Sequence, residues 1–141
     1  MKRNKYYVFN SGRLLLCDDG VVDVPAVLPE YLSFDEVRLF EEDDESVCYM
    51  ARSEQENLSD GLRWMDLRES YHVLPEKVYR QAGKASELLY FDHQHKFCGV
   101  CGGTMEWSSV ISKRCAHCGE ELWPKLSTAI IVLVHRGEEA L

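Results

Sequence analysis

The sequence predicts an α+β fold: a strand-rich N-terminal unit with one main helix, then a small cysteine-bearing β unit and a trailing strand. Three observations carry this. Short β-favouring runs alternate with turn residues across residues 1–67. A single stretch of helical period follows Pro75. Beyond His95 the composition changes, and residues 96–124 hold four of the six cysteines along with Gly99, Gly102, Gly103 and Gly119.

The elements follow in order. Tyr6-Tyr7-Val8-Phe9 reads as a strand, Asn10-Ser11-Gly12 as a turn and Arg13 to Cys17 as a second strand. Asp18-Asp19-Gly20 turns again, and Pro25 and Pro29 make the next stretch irregular. Glu36 to Phe40 and Ser46 to Arg52 form an expected hairpin around Glu41-Glu42-Asp43-Asp44-Glu45, which reads as a solvated turn. Ser59-Asp60-Gly61 breaks the chain before a strand over Leu62 to Leu67. Pro75 suits a first helical position, where its missing N–H would be unpaired anyway. Val78, Ala82, Ala85 and Leu89 then mark one helix face, which Tyr79, Leu88 and Tyr90 widen, and the helix is expected to fade near Asp92 or His93. Ala129 to Val134 is a β-favouring run near the end. The expected organisation is an N-terminal unit over 1–95, the cysteine unit over 96–124, and the start of a further unit over 125–141.

Composition narrows the function classes. The 141 residues are 45% apolar and 28% charged, globular proportions, with a formal net charge of -8. Residues 1–13 carry four bases and no acid, residues 18–60 carry 14 acids against two bases, and residues 61–141 carry ten of each. The acidic middle repels a phosphate backbone, so general nucleic-acid binding by counterion release is not expected. No apolar run approaches the roughly 20 residues of a membrane helix, so no membrane contact is expected. The basic start (Lys2, Arg3, Lys5) lacks the apolar stretch of a signal peptide, because Asn10 to Arg13 interrupt it and Leu14 to Cys17 is too short. Leu16 before Cys17 does not suit a lipoprotein site, and a cytoplasmic location is expected.

The strongest chemical signal is a pair of C-x2-C-G turns, Cys98-Gly99-Val100-Cys101-Gly102 and Cys115-Ala116-His117-Cys118-Gly119, with thirteen residues between Cys101 and Cys115. Each turn aims two thiolates at one point, and the glycine after the second cysteine permits a positive φ. Two such turns make a tetrahedral four-sulfur site, the pattern of a zinc ribbon. Cys98, Cys101, Cys115 and Cys118 are the expected metal ligands, and four sulfurs leave no position for water, so the zinc is expected to be structural. His95 is expected to pack or hydrogen-bond rather than ligate, His117 to be exposed, and Cys17 and Cys48 to be small buried apolar residues. Trp107 and Trp123 flank the ribbon.

These residues resemble a known family. Tyr79, His95-Lys96-Phe97-Cys98-Gly99-Val100-Cys101-Gly102, Cys115-Ala116-His117-Cys118, Trp123-Pro124 and Ala129-Ile130-Ile131-Val132 look like the NADH pyrophosphatases of the Nudix superfamily. The likeness is good over residues 62–134, and over 1–61 it rests on position and strand-rich character. It implies a rudimentary Nudix-like N-terminal domain, then a zinc ribbon, then a catalytic Nudix domain. It further implies cleavage of the diphosphate of NAD(H), and of NAD-capped RNA in some members, with Mg²⁺ or Mn²⁺, by a homodimer. Trp123 falls where relatives carry an aromatic implicated in packing near the nicotinamide, although tyrosine is more usual there. The sequence departs from the family at the Nudix box, the Gly, Glu and Arg-Glu…Glu-Glu pattern that holds the cations. Nothing matches it, and Glu138-Glu139 lack its arginine and glycine.

The expected function is therefore the non-catalytic N-terminal and ribbon portion of an NAD(H) diphosphatase, inactive alone, with no catalytic residue to assign. Two other classes fit the same cysteines: a stand-alone zinc-ribbon module that binds protein or nucleic acid, and a rubredoxin-like electron carrier in which iron replaces zinc.

Overall fold

The computed structural model describes residues 1–140. Strands β1 (Arg3–Asn10), β2 (Arg13–Asp18), β3 (Val22–Asp23), β4 (Arg38–Glu42), β5 (Ser46–Arg52) and β6 (Leu62–Asp66) form one mixed sheet in the order β3-β2-β1-β5-β4. β6 pairs along the other edge of β2, from Arg13↔Asp66 to Cys17↔Leu62. β1 and β2 form a hairpin that zips only near its turn, Phe9↔Leu14 and Asn10↔Arg13. β3 takes over the far end of β2 at Cys17↔Asp23, and the Pro25 carbonyl accepts from the Tyr6 N–H at 2.9 Å.

β1 and β5 run parallel, from Arg3↔Ser46 to Phe9↔Arg52. Parallel pairs survive where both faces are covered, and the sequence carries that mark: Tyr7-Val8-Phe9 and Leu14-Leu15-Leu16 are consecutive buried residues, not an alternation. Because strand side chains alternate, Tyr7, Phe9, Leu14, Leu16, Phe40, Cys48 and Met50 gather on one face. Val8, Leu15 and Ala51 gather on the other, covered by Leu28, Leu32, Phe34 and Leu58 from the irregular connections. The proline-marked stretch is therefore a lid on the second core.

Helix α1 (Glu76–Gln94) covers the first face with Val78, Ala82, Ala85, Leu88 and Leu89. Pro75 is its N-cap, one position earlier than the sequence suggests, and its carbonyl accepts from the Tyr79 N–H at 3.0 Å. The helix also runs past Asp92 and His93 to Gln94, with the Phe91 carbonyl accepting from the His95 N–H. Tyr90 does not widen the buried face, being 66% exposed. It projects within about 20° of Tyr79 around the helix, but Tyr79 is packed by Tyr71, which lies in a short 3-10 turn over Glu69–His72 and meets it edge to face at 5.3 Å, whereas Tyr90 lines an open cavity with Phe9, Phe34 and Arg52.

Three further expectations change in detail. β4 and β5 do form the hairpin, but β4 spans Arg38–Glu42 and includes Glu41 and Glu42, so the turn is shorter than the acidic run. A register shift between Leu39 and Glu41 puts Phe40 in the core. The turn is also tied down: Asp43 accepts from the N–H groups of Glu45 and Ser46, Lys77 pairs with Asp43 and Glu45, and Lys84 pairs with Glu41. Ala129 to Val134 enters no strand, because no described segment lies alongside it, and Ile130 to Val134 are exposed. Strand pairing near the chain end falls instead on a two-residue hairpin, β10 (His135–Arg136) with β11 (Glu139–Ala140). Among the described residues no helix is long and apolar enough to cross a membrane.

One polar bond crosses the first core. Tyr7 Oη donates to Gln81 Oε1 at 2.6 Å, between a strand and a helix residue that are both buried. Burial, then the nearby Cys48 and acidic groups, holds the Tyr7 phenol far above its usual pKa, so it remains a donor. Tyr7→Phe leaves the Gln81 oxygen without this donor and is expected to destabilise the chain by about 1–3 kcal/mol. A drop in the urea midpoint at unchanged m-value is the readout.

Candidate metal centre

Three short strands, β7 (Met105–Trp107), β8 (Lys113–Cys115) and β9 (Glu121–Leu122), form a separate antiparallel sheet in that order. Met105↔Cys115 and Trp107↔Lys113 set the β7–β8 register, and Lys113↔Leu122 begins the β8–β9 register. The strands hold two turns against each other. In the first, the Cys98 carbonyl accepts from the Gly102 N–H at 3.0 Å; in the second, the Cys115 carbonyl accepts from Gly119 at 3.1 Å. Gly102 and Gly119 have φ of 76° and 81°, the backbone that the motif demands of the residue after each second cysteine.

The four predicted thiols meet. Cys98, Cys101, Cys115 and Cys118 place their sulfurs within 4.8 Å of one another. Across the two turns, Cys98 and Cys118 are 3.6 Å apart and Cys101 and Cys115 are 3.4 Å apart. A tetrahedron with metal–sulfur bonds of about 2.3 Å has sulfur–sulfur edges of about 3.8 Å. The two cross-turn edges are slightly shorter than that, and all the sulfurs lie within 4.8 Å of one another, so these residues could hold a metal ion such as zinc. One thiol of each turn is buried, Cys98 and Cys115, and its partner, Cys101 or Cys118, is exposed. The apolar support is small: Met105 and the half-buried Leu122.

Backbone donors favour thiolate here. Val100 N–H points at Cys98 Sγ at 3.3 Å, Gly103 N–H at Cys101 Sγ at 3.4 Å, and His117 and Cys118 N–H at Cys115 Sγ at 3.3 and 3.4 Å. Chiefly through the Cys118 N–H, the Cys115 thiol falls to about 6, and the N–H groups of Cys101 and Val100 lower Cys98. Cys118 moves the other way: the Glu120 N–H lowers it, but the Cys101 sulfur, burial and the remaining thiols outweigh that donor. A second anion among sulfurs is unfavourable without a cation to share. Such a donor set could hold a cation.

Among the described residues, no other candidate side chain joins the cluster. His95 does not turn to the sulfurs; its Nδ1 donates to the Phe91 carbonyl at 2.9 Å and its ring packs on Phe91 at 4.7 Å. His117 is exposed, Cys48 is buried and Cys17 is half-buried. Trp107 is covered: the Arg38 guanidinium lies 3.9 Å from its ring and Phe91 at 5.9 Å. Trp123 follows β9 and is 54% exposed.

Sequence reasoning missed Gly103. Its own turn needs no special φ, yet a Cβ there would stand 2.8 Å from His117 Cβ, 3.0 Å from Cys115 Sγ and 3.2 Å from Cys101 Sγ. The signal was the second glycine of Gly102-Gly103, which the motif does not call for. The ion pair of Asp92 and Lys113 was also missed; single charges in a helix end and a strand carry no pairing signal.

The profile of the NADH pyrophosphatase-like rudimentary NUDIX domain matches residues 3–90. The chain belongs to that family. The match covers the mixed sheet and most of α1, including the stretch where the sequence alone gave the weakest likeness. Among curated proteins, the chain is similar to an NAD-capped RNA hydrolase NudC of Chromobacterium violaceum, at 29% identity over 97% of this chain and 51% of the relative. It is similar to proteins of the same name from Deinococcus radiodurans, at 38% identity over 55% of this chain and 28% of the relative, and Haemophilus influenzae, at 37% over 63% and 33%. The chain spans about half the length of the Chromobacterium relative.

Gly103→Ala pushes a methyl against two of the four sulfurs. It is expected to weaken metal binding at least tenfold while leaving the N-terminal unit folded, a size typical of damage next to a metal's ligands, about 10–100-fold. Chelator competition measures the affinity.

Proposed function

We propose that residues 1–141 are the N-terminal and zinc-ribbon portion of an NAD(H) diphosphatase that also accepts NAD-capped RNA. What supports the reading is the order along the chain: a rudimentary NUDIX match over 3–90, followed directly by a four-cysteine cluster. The names of the similar proteins supply the substrate class. In this reading the units run over 1–95, 96–124 and 125–141, and two copies assemble. The cytoplasm is the proposed location, where reduced thiols remain free to bind metal.

The metal in this reading is zinc, held by Cys98, Cys101, Cys115 and Cys118. Its chemistry is structural: a four-sulfur shell has no open position for water. The ribbon's apolar support is confined to Met105 and Leu122 beside the thiols, so the metal supplies folding free energy, about 10–16 kcal/mol in small zinc modules. Trp123 is exposed enough to stack on a nicotinamide or adenine ring. Cleaving the diphosphate requires carboxylates that hold Mg²⁺ or Mn²⁺ and a base that activates water. No Nudix box supplies them in these 141 residues, and Asp43, Glu45 and Glu41 near β4 are paired with Lys77 and Lys84.

Two measurements test the reading. Elemental analysis is expected to give about one zinc per chain, reduced sharply by Cys115→Ser; iron in its place, visible as a red protein, would favour an electron carrier. Incubated with NADH and Mn²⁺, the 141-residue chain is expected to release neither NMNH nor AMP. Turnover that tracks the purified protein peak would overturn the non-catalytic assignment.

A further inference from the structure

Where the ribbon meets the helix, one lysine lies in an environment that opposes its charge. Lys113 is 2% exposed, and a buried ammonium is tolerated only when paired and hydrogen-bonded. Its Nζ donates to Asp92 Oδ1 at 2.7 Å and to the His95 carbonyl at 2.8 Å. Asp92 lies in the last turn of α1 and His95 is its C-cap, where free carbonyls concentrate partial negative charge.

Lys113 opens β8 and Cys115 closes it. The two-residue period of a strand puts both side chains on one face, and both are buried while Arg114 between them is exposed. The strand that carries one thiol of the cluster is thus fixed at its other end to the N-terminal unit. Arg38 reinforces the junction from β4: it stacks on Trp107, the cross-strand partner of Lys113, and donates to the Ser109 carbonyl at 2.7 Å.

We infer that Asp92 and Lys113 are positioning residues for the metal centre, holding β8 so that Cys115 Sγ stands in place for the ion. Docking of the ribbon on α1 and metal binding then stabilise each other. The inference rests on the reading that the ribbon binds zinc. Coupling of this kind is reciprocal: a chain that docks poorly binds zinc weakly, and zinc in turn contributes less to its stability.

Lys96 provides an internal control. Its Nζ also meets Asp92, at Oδ2 and 2.7 Å, but it is exposed and lies outside the ribbon strands. The test uses the full 141-residue chain, with Zn²⁺ affinity from chelator competition and the thermal midpoint measured with and without Zn²⁺. Lys113→Met is expected to weaken zinc binding about tenfold, the lower end of the effect of residues that orient metal ligands, and to shrink the zinc-induced rise in midpoint. Lys113→Arg is expected to restore most of both, and Lys96→Met to leave both unchanged. Asp92→Asn keeps an acceptor for Lys113 while removing the charge, and reads the same coupling should Lys113→Met fail to fold. If Lys113→Met or Asp92→Asn lowers the midpoint equally with and without Zn²⁺ at unchanged zinc affinity, the ion pair merely stabilises the fold and the inference is overturned. If the unaltered chain takes up no zinc, the zinc reading fails, and this inference fails with it.

Discussion

From Arg3↔Ser46 to Phe9↔Arg52, β1 and β5 lie side by side in parallel, and this pairing constrains everything built around it. Parallel neighbours cannot be joined by a tight turn, so the chain between them must travel. It does so by adding β2 and β3 on one side, crossing the sheet as an irregular cover, and returning through β4 on the other. A parallel pair is also stable only when water is kept from both faces. One face is closed by α1 and the other by the segments around Leu28, Leu32, Phe34 and Leu58. Helix and cover are thus two answers to one requirement.

The second unit is organised by a different force. Its strands are two or three residues long, and its apolar cluster is hardly larger than the thiols themselves. Sheets of that size do not persist on backbone pairing alone. Four sulfurs drawn together by turns and backbone donors replace a core that the sequence does not provide. The two units meet through charge and aromatic contact: Lys113 and Asp92, Arg38 and Trp107. Removing one partner of a buried ion pair is far more costly than removing a surface pair, so this small junction imposes a definite geometry.

Much of this was legible in residues. Local grammar identified the hairpin after Tyr6 to Phe9, the strands around the acidic run and the helix after Pro75, because turn residues and helical spacing act over a few positions. The cysteine cluster was legible for the same reason: each half of the motif is a local turn, and only the meeting of the halves is long-range. What remained hidden depends on partners distant in sequence. The parallel sense of β1 and β5 is invisible to a strand's own residues, although the unbroken runs at Tyr7 to Phe9 and Leu14 to Leu16 record two covered faces. Tyr90 fits the helical stripe, but it opens onto a cavity and stays exposed, where Tyr79 is packed by Tyr71. Ala129 to Val134 has the composition of a strand but pairs with no strand among the described residues, and pairing defines a strand. Lys113 reads as a surface residue until Asp92 is seen beside it.

The exposed run from Ile130 to Val134 has a consequence for the chain in solution. It combines β-branched residues with an absence of charge and proline, the composition from which intermolecular sheet stacks grow. The opposing influence is colloidal: eight net negative charges keep separate molecules apart near neutral pH. That repulsion disappears as the medium approaches the isoelectric point near 5.1 and weakens in concentrated salt. Solubility of this chain is therefore governed by net negative charge offsetting a sticky segment, and mild acid removes that protection.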